Sequence, residues 1–69
     1  MKRRPVFSTR IKSVGYDPDS QVLEIEFTDN SVYEYDGVPK SKFDGLVGSY
    51  SIGKYFEENI KNSYAGNRL

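Results

Sequence analysis

Val22-Leu23-Glu24-Ile25-Glu26-Phe27-Thr28-Asp29-Asn30-Ser31-Val32-Tyr33-Glu34-Tyr35 is the stretch that decides the fold. Leu23, Ile25 and Phe27 alternate with Glu24 and Glu26, the period-two pattern of a strand with one side in a core and one in water. In the segment that follows, Tyr33 and Tyr35 share one side, and Val32 and Glu34 the other. Cross-strand neighbours share a face, so the length of the connection decides which side the tyrosines join. A two-residue loop sets Glu24 and Glu26 opposite the tyrosines and scrambles both faces. A three-residue loop of Thr28-Asp29-Asn30 sets Ile25 opposite Tyr33 and Leu23 opposite Tyr35. Asn30 then takes the left-handed conformation that closes a type I turn with a bulge. The spacing predicts an apolar side of Leu23, Ile25, Phe27, Tyr33 and Tyr35, with Glu24, Glu26 and Glu34 turned to solvent.

Upstream, Asp17-Pro18-Asp19-Ser20 is a turn in which Pro presets one dihedral and the acids hydrogen-bond locally. Arg10 to Tyr16 reads as the preceding strand, although Ile11 and Val14 do not alternate and Gly15 suggests a bulge or a close approach. In a simple meander register Arg10 and Lys12 lie on the side of Glu24 and Glu26. Downstream, Asp36-Gly37-Val38-Pro39 ends the sheet. Phe43, Leu46, Val47 and Tyr50 then repeat at helical spacing, with Pro39 at the entrance and Gly48 weakening the end. Ser51 is the N-cap of a second helix whose apolar positions are Ile52, Phe56, Ile60 and Tyr64, with Gly66 as its stop. The expectation is an α+β fold: a three-stranded antiparallel β-meander followed by two short α-helices packed on one face. Residues 1–8 read as a basic N-terminal arm in which only Val6 and Phe7 are able to dock. Residues 9–65 read as a single domain, and 66–69 as a tail.

Sixty-nine residues hold one core, and cores of that size contribute a net stability of only ~3–5 kcal/mol. The chain has no Cys and no His, which removes disulfides and the common zinc and haem ligand sets. Order must come from packing, for which six Tyr and four Phe are available. Ten Lys and Arg balance ten Asp and Glu, whereas a general nucleic-acid binder shows a basic excess. The charges are uneven all the same: Lys2, Arg3, Arg4, Arg10 and Lys12 all precede the first acid, Asp17. No apolar run reaches the ~18 residues of a membrane span, and no signal-peptide core follows the basic start, so a cytoplasmic protein is expected.

Candidate functional residues are few. Lys2, Arg3 and Arg4 are placed to clamp phosphates as an arm, and Lys54 and Lys61 on the second helix extend that set, interrupted by Glu57 and Glu58. The Tyr33-x-Tyr35 pair invites comparison with base-stacking platforms, but the register puts both rings in the core. Ser51-Ile52-Gly53-Lys54 has the look of a phosphate cradle; a cap followed by a glycine that permits close helix packing explains it as well. Asp17 and Asp19 lack further metal ligands at a suitable spacing. No residue set suits catalysis, and no cofactor, metal or small-molecule substrate is indicated.

Taken in order, Gly15-Tyr16-Asp17, the strand ending in Phe27, Tyr33-x-Tyr35, Val38-Pro39, Phe43 with Leu46, and Ser51-x-Gly53-x-Tyr55-Phe56 with Ile60 and Tyr64 resemble the KTSC domain. That family is named for a module at the C-terminus of some lysyl-tRNA synthetases and also occurs as short free-standing proteins of bacteria and phages. The resemblance runs from about Ser8 to Tyr64. It implies no established activity; RNA binding has been suggested for the family from the synthetase setting. Tyr16, Tyr33, Tyr35, Ser51, Gly53, Tyr55 and Phe56 carry the family motif and are read as structural. Asn30 departs from the family pattern where Gly is usual, and Gly48 to Tyr50 where small residues with Ala are usual. The expected function is a non-catalytic binding module, with protein–protein docking or self-association placed first because aromatic residues are in surplus for so short a chain and the net charge is zero. RNA or tRNA contact through the basic arm and second helix is the alternative.

Overall fold

The computed structural model describes residues 3–69. Its order is β1 (Arg4–Pro5), β2 (Ile11–Asp17), β3 (Val22–Phe27), β4 (Val32–Tyr35), α1 (Lys40–Gly48), α2 (Ile52–Asn59) and β5 (Gly66–Arg68). The sheet is antiparallel with strand order β1-β2-β3-β4-β5. The α+β class and the central meander agree with the sequence reading, but the sheet has five strands rather than three. The two added strands come from the segments read as arm and tail. Arg4 pairs with Val14 and Pro5 with Ser13 at one edge; Gly66, Asn67 and Arg68 pair with Tyr35, Glu34 and Tyr33 at the other.

The β3–β4 hairpin has the predicted register, with Leu23 opposite Tyr35 and Ile25 opposite Tyr33. The turn is closed by Asn30 N–H donating to the Phe27 carbonyl and Phe27 N–H to that of Ser31. Asn30 has φ +72°. In the β2–β3 turn Gln21 also has a positive φ, +57°, a conformation costing a residue with a Cβ about 1–2 kcal/mol. Gln21→Gly is therefore expected to raise stability by up to about 1 kcal/mol, the gain being trimmed by the greater flexibility of glycine in the unfolded chain. Asn30→Gly is expected to leave stability unchanged or raise it slightly, since Asn tolerates this region. Chemical denaturation of both variants checks the pair; a clear loss in either would contradict the turn geometry.

The irregularity in β2 is a bulge between Ile11 and Ser13. It places Ile11 and Val14, three positions apart, on the core side, which is why the two failed to alternate. Lys12 faces Glu26, with Nζ 3.9 Å from the carboxylate, as the simple register predicts. Arg10 does not join that ladder. It lies one residue ahead of β2 and forms its ion pair with Glu57 on α2.

Both helices cover the apolar side of the sheet. The core consists of Ile11, Val14, Leu23, Ile25, Tyr35, Val38, Leu46, Ile52, Phe56 and Ile60. Phe56 joins α2 to the sheet, its ring meeting Phe27 edge-on at 5.5 Å and Tyr35 at 5.4 Å. α2 stops earlier than the Ile60–Tyr64 spacing suggested. Ile60 is its buried C-cap, a turn follows through Ser63, and Gly66 opens β5 rather than ending a helix. Tight helix–helix approach falls at Gly45, not at Gly53. A Cβ on Gly45 would lie 2.7 Å from Tyr55 Cζ, whereas one on Gly53 would make ordinary contacts of 3.6 Å or more.

Candidate functional site

The carboxylate side of the sheet is not a ligand platform. Arg3 Nη1 donates to Glu24 at 2.7 Å, and Ser13 Oγ donates to Glu26 at 2.8 Å. These bonds, with Lys12 above Glu26, occupy Glu24 and Glu26 on that side. The tyrosine pair is equally occupied. Tyr35 is buried, and Tyr33 is half-buried beside Phe27 with ring centroids 5.6 Å apart. Burial, helped by the neighbouring Tyr33, pushes the Tyr35 phenol above its ordinary range. Tyr16 donates its hydroxyl to the Val38 carbonyl at 2.6 Å and stacks on Phe43.

Exposed aromatic area gathers elsewhere, where the loop leading into β2 meets the junction of the two helices. Phe7 is 103 % and Tyr50 112 % exposed relative to a free residue. Each is held out by local backbone structure. After Phe7, Ser8 Oγ accepts from the N–H groups of Arg10 and Ile11 at 3.2 and 3.3 Å, while Val6 N–H donates to the Lys12 carbonyl. That turn pins Val6 against the core and points its neighbour outward. α1 has ended at Gly48, and Ser49 is extended, its N–H donating to Leu46. Ser51 caps α2 by accepting from Lys54 N–H at 3.4 Å. Tyr50 stands between these two terminations and belongs to neither helix.

Two shallow cavities share Phe7, Tyr50 and Ile52. One is completed by Ser8, Thr9, Arg10, Ser51, Gly53 and Lys54, the other by Arg4, Pro5, Val6, Val47 and Ser49. No Asp or Glu lines either. Arg4, Arg10 and Lys54 therefore lie around two bare rings, although the whole chain is neutral. Glu57 approaches only through its ion pair with Arg10. The Ser49 hydroxyl is buried there with no hydrogen-bond partner among the described residues.

The predicted basic set is split by the fold. Arg4 and Lys54 flank the two rings. Arg3 pairs with Glu24 and borders a cavity with Tyr16 and Phe43 rather than the two rings, and Lys61 lies in a separate cavity with Asp29 and Glu57. Lys2 lies outside the described residues. Of the motif residues, Tyr35 and Phe56 are buried, Tyr16, Tyr33, Gly53 and Tyr55 are half-buried, and Ser51 is the exposed cap. Of the two arm residues able to dock, Val6 packs against the core and Phe7 stays exposed. Tyr50 fitted the apolar spacing of the first helix, yet it lies two residues beyond that helix. Its departure from the family pattern was the one sequence signal available. Among the described residues no group of three or more Asp, Glu, His or Cys is placed to hold a metal ion. Nor, among the described residues, is any helix long and apolar enough to cross a membrane.

Residues 7–64 match the profile of the KTSC domain. The chain belongs to the KTSC domain family. An uncharacterised protein of Stutzerimonas stutzeri is 38 % identical over 61 residues, covering 88 % of this chain and 86 % of the relative. A lysine–tRNA ligase of Nostoc sp. is 37 % identical over 59 residues, which are 86 % of this chain but 10 % of the ligase. The crystal structure of a KTSC domain protein from Yersinia pestis superposes with a TM-score of 0.96 at 38 % identity, covering 99 % of this chain and 96 % of that one. The five-stranded arrangement with its two helices is thus shared with a solved member of the family.

Proposed function

We propose that this KTSC domain is a cytoplasmic, non-catalytic binding module that contacts single-stranded RNA through the face around Phe7 and Tyr50. The observation that carries the reading is the pairing of two fully exposed rings with Arg4, Arg10 and Lys54 in cavities that no acid lines. Strand-binding surfaces of this kind combine aromatic rings, on which bases stack, with cations that follow the phosphates. Zero net charge weighed against nucleic acid at the level of sequence; Arg4 and Lys54, which make no ion pair among the described residues, are the charges beside the rings that favour it. The lysine–tRNA ligases that carry a similar segment are consistent with it.

A Phe7→Ala/Tyr50→Ala variant is expected to weaken binding of a short unstructured RNA by about 30-fold or more, at ~1–3 kcal/mol per stacked base. Its melting temperature should stay close to that of the parent, because both rings are in solvent. Affinity of the parent should also fall steeply between low and moderate salt. No binding of labelled tRNA or unstructured RNA at low salt would overturn the reading.

Self-association is the second reading, and the same rings favour it. Phe7 and Tyr50 adjoin the half-buried Val6 and Val47, an exposed apolar area of the sort that marks protein interfaces. Sedimentation at high concentration decides it: a dimer that the double variant abolishes supports it, and a monomer throughout removes it.

A further inference from the structure

Next to that face, and sharing Arg4 with it, is a cleft of about 430 Å³ between β1, β2 and the start of α1. Its walls are Val14, Tyr16, Pro18 and Phe43, with Arg3, Arg4 and Lys40 at the rim; Arg3 is already paired with Glu24. The floor is rigid. Tyr16 and Phe43 stack with centroids 4.8 Å apart and planes within 10°, and the Tyr16 hydroxyl is fixed by its bond to Val38. No Asp or Glu lines the cleft.

The Arg4 guanidinium stands over the Phe43 ring at 5.9 Å from its centroid, the outer limit of a cation–π contact. Stacked groups lie about 3.5–4.0 Å apart. A planar ring held between Arg4 and Phe43 would need roughly 7–8 Å, so an opening of only about 1–2 Å admits one. Arg4 is exposed and makes no ion pair among the described residues. Lys40 is tied at 3.1 Å to Asp44, which lies outside the cleft; that exposed pair is weak enough for a phosphate to displace it. An aromatic floor, a movable guanidinium above it and a second cation at the rim suit a flat, anionic ligand.

We propose that this cleft seats a single nucleotide, its base between Arg4 and Phe43 and its phosphate at Lys40. The nucleotide is either a free mononucleotide or one unpaired residue of an RNA strand lying across the Phe7–Tyr50 face. Only the second source rests on the RNA reading above.

Adenosine 5′-monophosphate and a short unstructured RNA are titrated separately while the aromatic ring signals are followed by nuclear magnetic resonance. Both ligands are expected to shift the Tyr16 and Phe43 signals. Arg4→Ala and Lys40→Ala, both at exposed positions, should weaken binding of the mononucleotide by about 10-fold, and Phe7→Ala/Tyr50→Ala should leave it unchanged. Shifts confined to Phe7 and Tyr50, or unchanged mononucleotide affinity in both cation variants, overturn the cleft while leaving the RNA reading intact. Shifts with the mononucleotide but none with RNA overturn the RNA reading and assign the cleft to a free nucleotide. Silence from both ligands overturns both.

Discussion

Phe56→Ala is expected to leave most of the chain unfolded at 25 °C. Phe56 is 5 % exposed and is the ring through which α2 meets the sheet, edge-on to both Phe27 and Tyr35. Truncating a buried Phe costs about 3–5 kcal/mol, from lost transfer energy and the cavity left behind. A core this small contributes about the same amount in total. The two figures meet, so the substitution should collapse the folded population instead of merely lowering a melting point. Tyr55→Ala provides the contrast. The Tyr55 ring is half-buried against Gly45 on the neighbouring helix, so its loss removes helix–helix contact but leaves α2 on the sheet, and a cooperative transition should survive. Circular dichroism against denaturant for both variants checks the pair. If Phe56→Ala still melts cooperatively within about 1 kcal/mol of the parent, the ring does not anchor α2 and the layer packing is misplaced.

The parts of the fold that were legible in the sequence are those in which side-chain pattern and backbone pairing say the same thing. Leu23, Ile25 and Phe27 alternate because one face of β3 is buried, and the odd loop through Asn30 leaves one register that keeps the carboxylates out of the core. The edge strands carry no such signal. Every residue of Arg4–Pro5 and of Gly66–Arg68 is exposed, so no alternation of buried and exposed side chains distinguishes a paired strand from a free arm; their pairing rests on backbone hydrogen bonds, which have no sequence pattern. The bulge before Ser13 hid in the same way, visible only as Ile11 and Val14 out of phase. For the candidate face the difficulty is reversed. Phe7 and Tyr50 are large aromatic residues in segments with apolar neighbours, which is how core positions read. Their exposure follows from the Ser8 turn and from the end of α1 at Gly48, two backbone events on segments far apart in the chain. Lys54 and Arg4, by contrast, were recognisable as charges; what composition withheld was that the fold sets them beside the rings and sends Arg3 elsewhere.

Gly66→Ala is expected to release β5, and with it one wall around Tyr35. Gly66 pairs directly with Tyr35, and the tyrosine ring lies over the glycine: an added Cβ would meet Cε2 at 2.5 Å and Cδ2 at 3.0 Å. The side chain in the way is not a mobile tip. It is buried, fixed by Phe56 on one side and flanked by Tyr33 on another, with centroids 5.4 and 6.4 Å away. Because the ring is held by Phe56 and Tyr33, the backbone of the short terminal strand is expected to yield first. Overpacking of this kind costs about 1–3 kcal/mol, and a three-residue edge strand held by few hydrogen bonds is the cheapest element to lose. The variant should therefore melt as low as one lacking residues 66–69, and it should lose amide protection at Asp36 and Leu69, whose N–H groups donate to Ala65 and Val32. Tyr35→Leu in the Gly66→Ala background should restore part of that protection, since a shorter side chain vacates the space the methyl group needs. An unchanged melt for Gly66→Ala, with Asp36 and Leu69 still protected, would show that the ring can move aside and that the close contact at Tyr35 does not govern how the end of the chain is held.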